Sequence, residues 1–313
     1  MGPIVLEPYY ASPIWGDVRI AEVRGLNHSE KENCGEAFDV SAHPGVEGHI
    51  AEGPDAGMPF SRFLEAHHDE VMGSLEDDGT IQAVAMSARD HLSVQVHPGE
   101  EFAQAHEGDH GKVEAWYVLE AEPGATLIAG CATNDKEELR AAAADDTIGT
   151  RYGSTVPVQE GDFVLIPTGT MHALGPGIFC VEVGSLGNTT YRLCDWGRGR
   201  ELHIERGFAV LDTEGEPQIE HLGAFDEEGP AQVRRGVTTD FYCTDVVDVR
   251  GSWSGRTEGR YAIVTCVAGE AEVTADGATV PLGYSRSVVI PAAAGTFKVS
   301  GTCRVLVSSR NIG

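Results

Sequence analysis

Positive charge is scarce in this chain. Its lysines are Lys31, Lys112, Lys136 and Lys298, and 22 basic residues stand against 49 acidic ones, for a formal charge of −27. A molecule of that sign repels phosphate backbones and anionic headgroups, which argues against nucleic acid or a membrane as partner. An anionic small molecule would need a local group of cations. Apolar runs long enough to cross a bilayer are missing, and the opening MGPIVLEPYY has no charged start with an apolar stretch behind it. We therefore expect a soluble, cytoplasmic protein. The seven cysteines (34, 131, 180, 194, 243, 266, 303) are odd in number, scattered, and form no C-x-x-C pair. That favours reduced thiols over a disulfide framework or a cysteine zinc site. A P-loop, a G-x-G-x-x-G turn and a G-x-S-x-G elbow are all absent, so nucleotide-binding and serine-hydrolase readings have no starting point.

What is present is a pair of strands around a helical excursion, SVQVHPGEEFAQAHEGDHGKVEAWYVL, over residues 93–119. Side chains two apart on a strand share a face. Ser93, Gln95 and His97 then point one way and Val94 and Val96 the other. In the second strand Lys112, Glu114, Trp116 and Val118 share a face opposite Val113, Ala115, Tyr117 and Leu119. A second stretch, GDFVLIPTGTMH at 161–172, places Gly161, Pro167, Gly169 and His172 at the spacing of the second motif of cupin barrels. Histidine, glutamate and glutamine aimed into one lumen suggest a metal held by Gln95, His97, Glu114 and His172. Mixed nitrogen and oxygen donors suit Zn2+ and also admit Mn2+, Fe2+, Ni2+ or Co2+. One buried histidine alone reads as a hydrogen-bonded strand residue; the set needs a reason to share a lumen.

Taken in order, the chain is mostly strand. The opening stretch PIVLEPYYASPIWGDVRIAEV (3–23) reads as extended segments wrapped on a core, and GEAFDVSAHP (35–44) alternates weakly, as an edge strand would. PFSRFLEAHHDEVMG (59–73) carries an apolar helical stripe ended by Gly73. Residues 81–97 give a strand, a polar break at Arg89-Asp90, and the strand of His97. NDKEELRAAAADD (134–146) is the clearest helix, rich in alanine and acidic in its first turn, and it interrupts the barrel strands as an insertion. Strands resume at 155–158, 162–167, 178–184 and 189–194. The last eighty residues are strands punctuated by glycine turns, and the run 283–291 echoes 161–167 without a histidine after it. The expected fold class is mainly β, a double cupin of two β-barrels or jelly rolls with a small helical insertion. The expected division is a metal-binding catalytic domain at 1–235 and a metal-free cupin-like domain at 236–313.

Lys112 and Arg192 are the cations placed to meet an anionic group, one as a point charge and the other as a planar fork. Each could instead be half of a structural ion pair, for example with Glu182 or Asp195. Glu182 alternates with Phe179, Val181 and Val183, which puts it on the other face beside Cys180. A carboxylate in a lumen gains proton affinity and can serve as a base, or it can orient Arg192. HEGDHG (106–111) reads as a solvated loop, since nothing in the sequence orients its side chains. Trp116 and Tyr117 read as core.

The chain resembles type I phosphomannose isomerases of the short bacterial form, nearly end to end. The resemblance rests on PIWG (13–16), GEAFDVSAHP (35–44), SVQVHP (93–98), GKVEAWYVL (111–119), GDFVLIPTGTMHAL (161–174), TTYRLCDW (189–196) and RELHI (200–204). It implies a double cupin, a divalent metal that is usually zinc, and interconversion of mannose 6-phosphate and fructose 6-phosphate. It also implies metal-ligand positions at Gln95, His97, Glu114 and His172 and active-site positions at Lys112 and Arg192. Two segments depart from the family's usual ones: GSLGN (184–188) puts Asn188 at an acidic position, and AVAMSARD (83–90) lacks a lysine.

The expectation is then a sugar-phosphate isomerase, acting as a monomer or small homo-oligomer, with Lys112 and Arg192 holding negative charge and Glu182 moving the proton. A sugar-binding cupin without turnover and an iron cupin dioxygenase are the competing classes. Turnover separates the first from the isomerase and metal content separates the second.

Overall fold

The computed structural model describes residues 1–26, 33–75 and 79–311; Lys31 lies outside them. The expected mainly-β architecture is what the chain adopts. A seven-stranded sheet runs, from edge to edge, Gln218–His221, Asp162–Ile166, Glu114–Ala121, Ile178–Ser185, Ile81–Ala88, Glu36–Val40 and Tyr9–Ala11. Facing it is a five-stranded sheet of Tyr191–Cys194, Val94–Val96, His172–Ala173, Thr126–Cys131 and Gly153–Pro157. The pairings within both sheets are antiparallel.

The interior strand Ile81–Ala88 is buried along its whole length, and its small apolar sequence, IQAVAMSA, has to satisfy two faces at once. Ile81, Ala83 and Ala85 pack with Tyr242, Val246, Tyr261 and Leu306 of the C-terminal lobe. Val84, Met86 and Ala88 line the space between the two sheets with Trp116, Val118, Leu127, Val164 and Cys180. The seven-stranded sheet is thus a common wall, with a dry core behind it and the lumen in front. Each large aliphatic or aromatic side chain buried in that core contributes roughly 1.5–3 kcal/mol, so the wall is held rigid from behind.

The outer face of the five-stranded sheet is covered by helices Lys136–Ala144, Ile148–Tyr152 and Ile204–Val210, with Val94, Val96, Leu139, Ile148 and Leu193 in one cluster. The expected helical insertion is therefore present, between two neighbouring strands of that sheet. Asp135 caps it, accepting from the amides of Glu137 at 2.9 Å and Glu138 at 3.1 Å, and satisfies two amide groups that the first turn leaves unpaired. The stretch at 59–73 forms two short helices, Phe60–Ala66 and His68–Val71. The N-terminal segment is extended in part, but it also holds a helix, Arg19–Val23, that its sequence did not announce.

The C-terminal lobe is a six-stranded sheet dominated by Tyr242–Arg256, Ala262–Ala275 and Thr296–Arg310. Both halves of these long strands feed one core, with Val247, Val264, Val273, Val299 and Val305 among its members. Its first strand, Gln232–Thr238, spans the expected division at 235/236, and Ile4 bridges to Val289 from the N-terminus.

Two glycines of the second motif are required by geometry. Gly161 (φ +85°) lies so close to the Gly223 carbonyl that a Cβ would overlap it, and Gly169 (φ +81°) donates its amide to the His97 carbonyl at 3.0 Å. Gly169 thereby ties the motif that carries His172 to the strand that carries His97.

Candidate metal centre

The alternation predicted for the metal strands holds. Val94 and Val96 face the helices, Ala115, Tyr117 and Leu119 face the C-terminal lobe, and Trp116, Val118 and Cys180 face the lumen. In register, Gln95 lies opposite His172 on one side and Arg192 on the other. Residues directly opposite in an antiparallel pair share a face, so all three side chains look into the lumen from the five-stranded sheet. From the other sheet come Glu114 and Glu182; Glu182 lies between Trp116 and Val84, and Gly184 between Glu114 and Gln82.

His97, Glu114 and His172 converge, with their candidate donor atoms all within 4.8 Å of one another. Glu114 Oε1 is 3.1 Å from His172 Nε2 and its Oε2 is 3.5 Å from His97 Nε2. The three residues are 2%, 1% and 0% exposed, so bulk water cannot solvate their charge. Both imidazoles have the other ring nitrogen within hydrogen-bond distance of a main-chain carbonyl: His97 Nδ1 is 2.8 Å from Thr189 O and His172 Nδ1 is 2.8 Å from Thr170 O. A proton on each Nδ1 leaves each Nε2 as a lone-pair donor aimed at the common point. Burial, reinforced by Lys112 and His172 against the pull of Glu114, pushes His97 down to about 3. It is neutral at physiological pH, as a metal ligand must be. The amide of Gln95 has its Nε2 3.4 Å from both Nε2 atoms and its Oε1 3.3 Å from Ser93 Oγ. Turning that amide by a half rotation would present Oε1 to the same point.

The chemistry of this donor set fits a divalent ion. Lys112 Nζ is 2.9 Å from Glu114 Oε2, yet among the described residues neither oxygen of Glu114 receives a hydrogen bond of acceptable geometry. A buried carboxylate left in that condition is costly unless a cation completes it.

Lys112 also reaches Glu182 Oε1 at 2.9 Å, and Trp116 Nε1 donates to Glu182 Oε2 at 3.2 Å. One ammonium therefore serves two carboxylates. Burial pushes Glu114 up, but Lys112 and the histidines outweigh it and hold that carboxyl well below the usual range. Glu182 goes the other way: burial and the neighbouring Glu114 charge raise it, and Lys112 only partly offsets them. Lys112 itself is raised, since the two carboxylates outweigh its burial.

Glu36 is the carboxylate that the sequence reading passed over. It lies opposite Met86, on the lumen side of its strand, and is half-buried. Burial, then Glu182, raise it to about 7, with Lys112 opposing. A charged residue in step with Phe38, two positions on, was the signal available. Gln82 is a second omission: it faces the lumen, fully buried, with no partner for Oε1 among the described residues.

Arg192 sits at the edge of the five-stranded sheet. Its Nη1 donates to Glu201 O at 2.8 Å, and its Nε has no partner among the described residues. The structural ion pairs that were alternatives for it are taken by other cations. Lys112 holds Glu182, and Arg200 holds Asp195 Oδ1 through Nε at 2.9 Å and Nη2 at 2.6 Å. The solvated-loop reading of 106–111 is corrected for Asp109. Its carboxylate accepts from Thr189 Oγ1 at 2.6 Å and from the Asn188 amide at 3.1 Å.

Comparison with known proteins agrees with this geometry. A curated mannose-6-phosphate isomerase from Streptococcus mutans is 32% identical, over 99% of this chain and 98% of the relative. The chain belongs to the mannose-6-phosphate isomerase family. The model of the family's cupin domain matches residues 234–310, in the C-terminal lobe. The crystal structure of mannose 6-phosphate isomerase from Bacillus subtilis superposes with a TM-score of 0.85 at 26% identity, covering 98% of this chain and 99% of that one. A zinc-bound mannose 6-phosphate isomerase shares the fold, with a TM-score of 0.78 at 15% identity over 99% of this chain and 100% of the other. Among the described residues no helix is long and apolar enough to cross a membrane.

Proposed function

We propose that this member of the mannose-6-phosphate isomerase family is a zinc-dependent aldose–ketose isomerase that interconverts mannose 6-phosphate and fructose 6-phosphate through a cis-enediol. The observation that carries the reading is the convergence of His97, Glu114 and His172 beside a lysine shared by two buried carboxylates. A divalent ion held by those three residues and by Gln95 through its turned amide would supply Lewis acidity toward the sugar oxygens at C1 and C2. Lys112 steadies negative charge next to the reacting carbons. Arg192 offers N–H donors to the phosphate at the sheet edge. A lumen carboxylate takes the C2 proton and returns it to C1 on the same face of the planar enediol, while a hydroxyl proton passes between O2 and O1, so no atoms are gained or lost.

Glu182 is our first candidate for that base, since it is raised and faces the lumen. Glu36 is a second, favoured by its half-exposed position and by an affinity for protons near neutrality. Residues 1–235 would carry the chemistry, and 236–313 would be a metal-free lobe that backs the metal sheet.

The test is a coupled assay with mannose 6-phosphate, fructose 6-phosphate and unphosphorylated mannose, with metal analysis of wild type and of His97→Ala. The expected result is turnover of the phosphates alone, one zinc in wild type, and little metal in folded His97→Ala. Comparing Glu182→Gln with Glu36→Gln then assigns the base, the larger fall in kcat marking it. Tight sugar-phosphate binding without turnover would replace the isomerase by a binding module.

A further inference from the structure

Of the two metal-facing histidines, His172 is held from within its own segment, by the carbonyl of Thr170 two residues away. His97 is not. Its Nδ1 partner is the carbonyl of Thr189, on a stretch (187–190) with no regular secondary structure. What fixes that carbonyl is Asp109. One oxygen of its carboxylate accepts both the Thr189 hydroxyl at 2.6 Å and the Asn188 amide at 3.1 Å. The other accepts the His110 amide at 2.7 Å and lies 3.2 Å from His43 Nε2. The loop that carries Asp109 is fastened in turn: Glu100 Oε2 accepts from the Gly111 amide at 2.8 Å. Gly187 completes the fit, because a Cβ there would overlap the carbonyls of His110 and Gly111.

We infer that Asp109 is a positioning residue for the metal centre: through Thr189 it fixes the ring orientation and tautomer of His97, so that Nε2 is presented to the ion. The inference rests on the metal reading of the lumen. Groups that orient a ligating histidine through its far nitrogen typically govern metal affinity by roughly 10–100-fold. The carboxylate does so here from a distance, through a hydroxyl and an amide of the segment whose carbonyl touches the imidazole.

The experiment is a zinc titration against a chromophoric chelator for wild type, Asp109→Ala, Thr189→Val and Thr189→Ser. Melting temperatures of the metal-free proteins and the visible spectra of the cobalt(II) forms complete it. Asp109→Ala and Thr189→Val should each weaken zinc binding by roughly 10–100-fold, and the pair combined should cost little more than either alone. Thr189→Ser, which keeps the hydroxyl, should bind as wild type does. The cobalt(II) spectra of the two weakened variants should change, while the metal-free melting temperatures of wild type and Thr189→Val stay close. Zinc affinity within twofold of wild type in both Asp109→Ala and Thr189→Val would overturn the inference. A fall in melting temperature that accounts for the whole loss of binding would overturn it too. Should Asp109→Ala not fold, Thr189→Val against Thr189→Ser decides the matter. Wild-type protein that binds no zinc removes the metal reading itself, an outcome distinct from unaltered affinity in the variants.

Discussion

Lys112 is the residue whose removal tests the electrostatics of the site most directly. Its ammonium lies 2.9 Å from a carboxylate oxygen of Glu114 and 2.9 Å from one of Glu182, and all three side chains are buried or nearly so. At an effective dielectric of 20, each of those contacts is a gross attraction of about 6 kcal/mol. The desolvation of three charges offsets most of it. Taking one partner out of a buried ion pair leaves the others uncompensated and typically costs roughly 3–5 kcal/mol. Lys112→Met, which keeps most of the side chain's apolar length without its ammonium, should therefore destabilise the metal-free protein by about that much at pH 8.

The deficit should depend on pH in a defined direction. In wild type Lys112 opposes burial and helps hold Glu114 below its ordinary value, a contribution present above the unfolded value of about 4.3 and lost as pH falls through the folded one. In the variant both carboxyls rise, so the folded state binds more protons than the unfolded state and loses stability as pH rises. The deficit is then smaller near pH 5, where the variant's carboxyls are protonated, and full above pH 7. Denaturant unfolding of chelator-treated wild type and variant at pH 5 and pH 8 measures it. Saturating zinc should narrow the gap by supplying positive charge to the same carboxylates. A deficit below about 1 kcal/mol at pH 8, or one equal at both pH values, would refute the reasoning.

Two further outcomes follow from the same geometry. Arg192→Ala should weaken turnover or binding of sugar phosphates by roughly 2–5 kcal/mol while zinc stays bound, and leave any weak binding of unphosphorylated mannose unaltered; comparing kcat/KM and metal content checks both. Glu36 is raised to about 7, so between about 4.3 and 7 the folded state holds a proton that the unfolded state has released, and wild-type stability falls as pH rises across that window. In metal-free protein Glu36→Gln should remove the fall and become the more stable form above pH 7, by at most about 4 kcal/mol; matching pH profiles would contradict the shift.

The lumen was legible because a strand has a period of two. Once residues 93–97 and 112–119 were read as strands, Gln95, His97, Lys112, Glu114 and Trp116 had to share an interior, and Glu182 followed from its alternation with Phe179, Val181 and Val183. Glu36 escaped the same argument for a physical reason. Its strand has an irregularity between Phe38 and Val40, so the alternation that would have marked its face is broken within a few residues. Asp109 escaped for another. It sits in a stretch with no period at all, and the groups that orient it, Asn188 and Thr189, are 79 and 80 residues away. The ion pairs were open in the sequence because Lys112 and Arg192 were equally good partners for Glu182. The choice of Lys112 depends on the pairing of Glu114–Ala121 with Ile178–Ser185, a register that no local signal specifies.

Under the proposed function, the distribution of charge would let a protein of net charge −27 meet a phosphate dianion. Glu36, Glu114 and Glu182 face the inner part of the lumen with Lys112 as the cation between them, while His97 is neutral. When all three carboxylates are ionised, that region carries two negative charges in excess, which a divalent ion would balance. A phosphate could not lie there without leaving its own charge uncompensated. Arg192, on the edge strand of the five-stranded sheet, is followed within nine residues by Arg198 and Arg200, a local reversal of the overall sign. Arg198 and Arg200 are engaged with Asp195, whereas the Nε of Arg192 has no partner among the described residues, and it is lowered by burial and by the charge of Arg200. An anion bound at Arg192 would offset both the burial cost and the repulsion from Arg200 with its own opposite charge. Under the proposed function, holding a metal in the inner lumen and holding a phosphate at Arg192 would be separate charge problems with separate solutions. A sugar carrying a phosphate at the far end from its reacting carbons would have a charge layout that suits both.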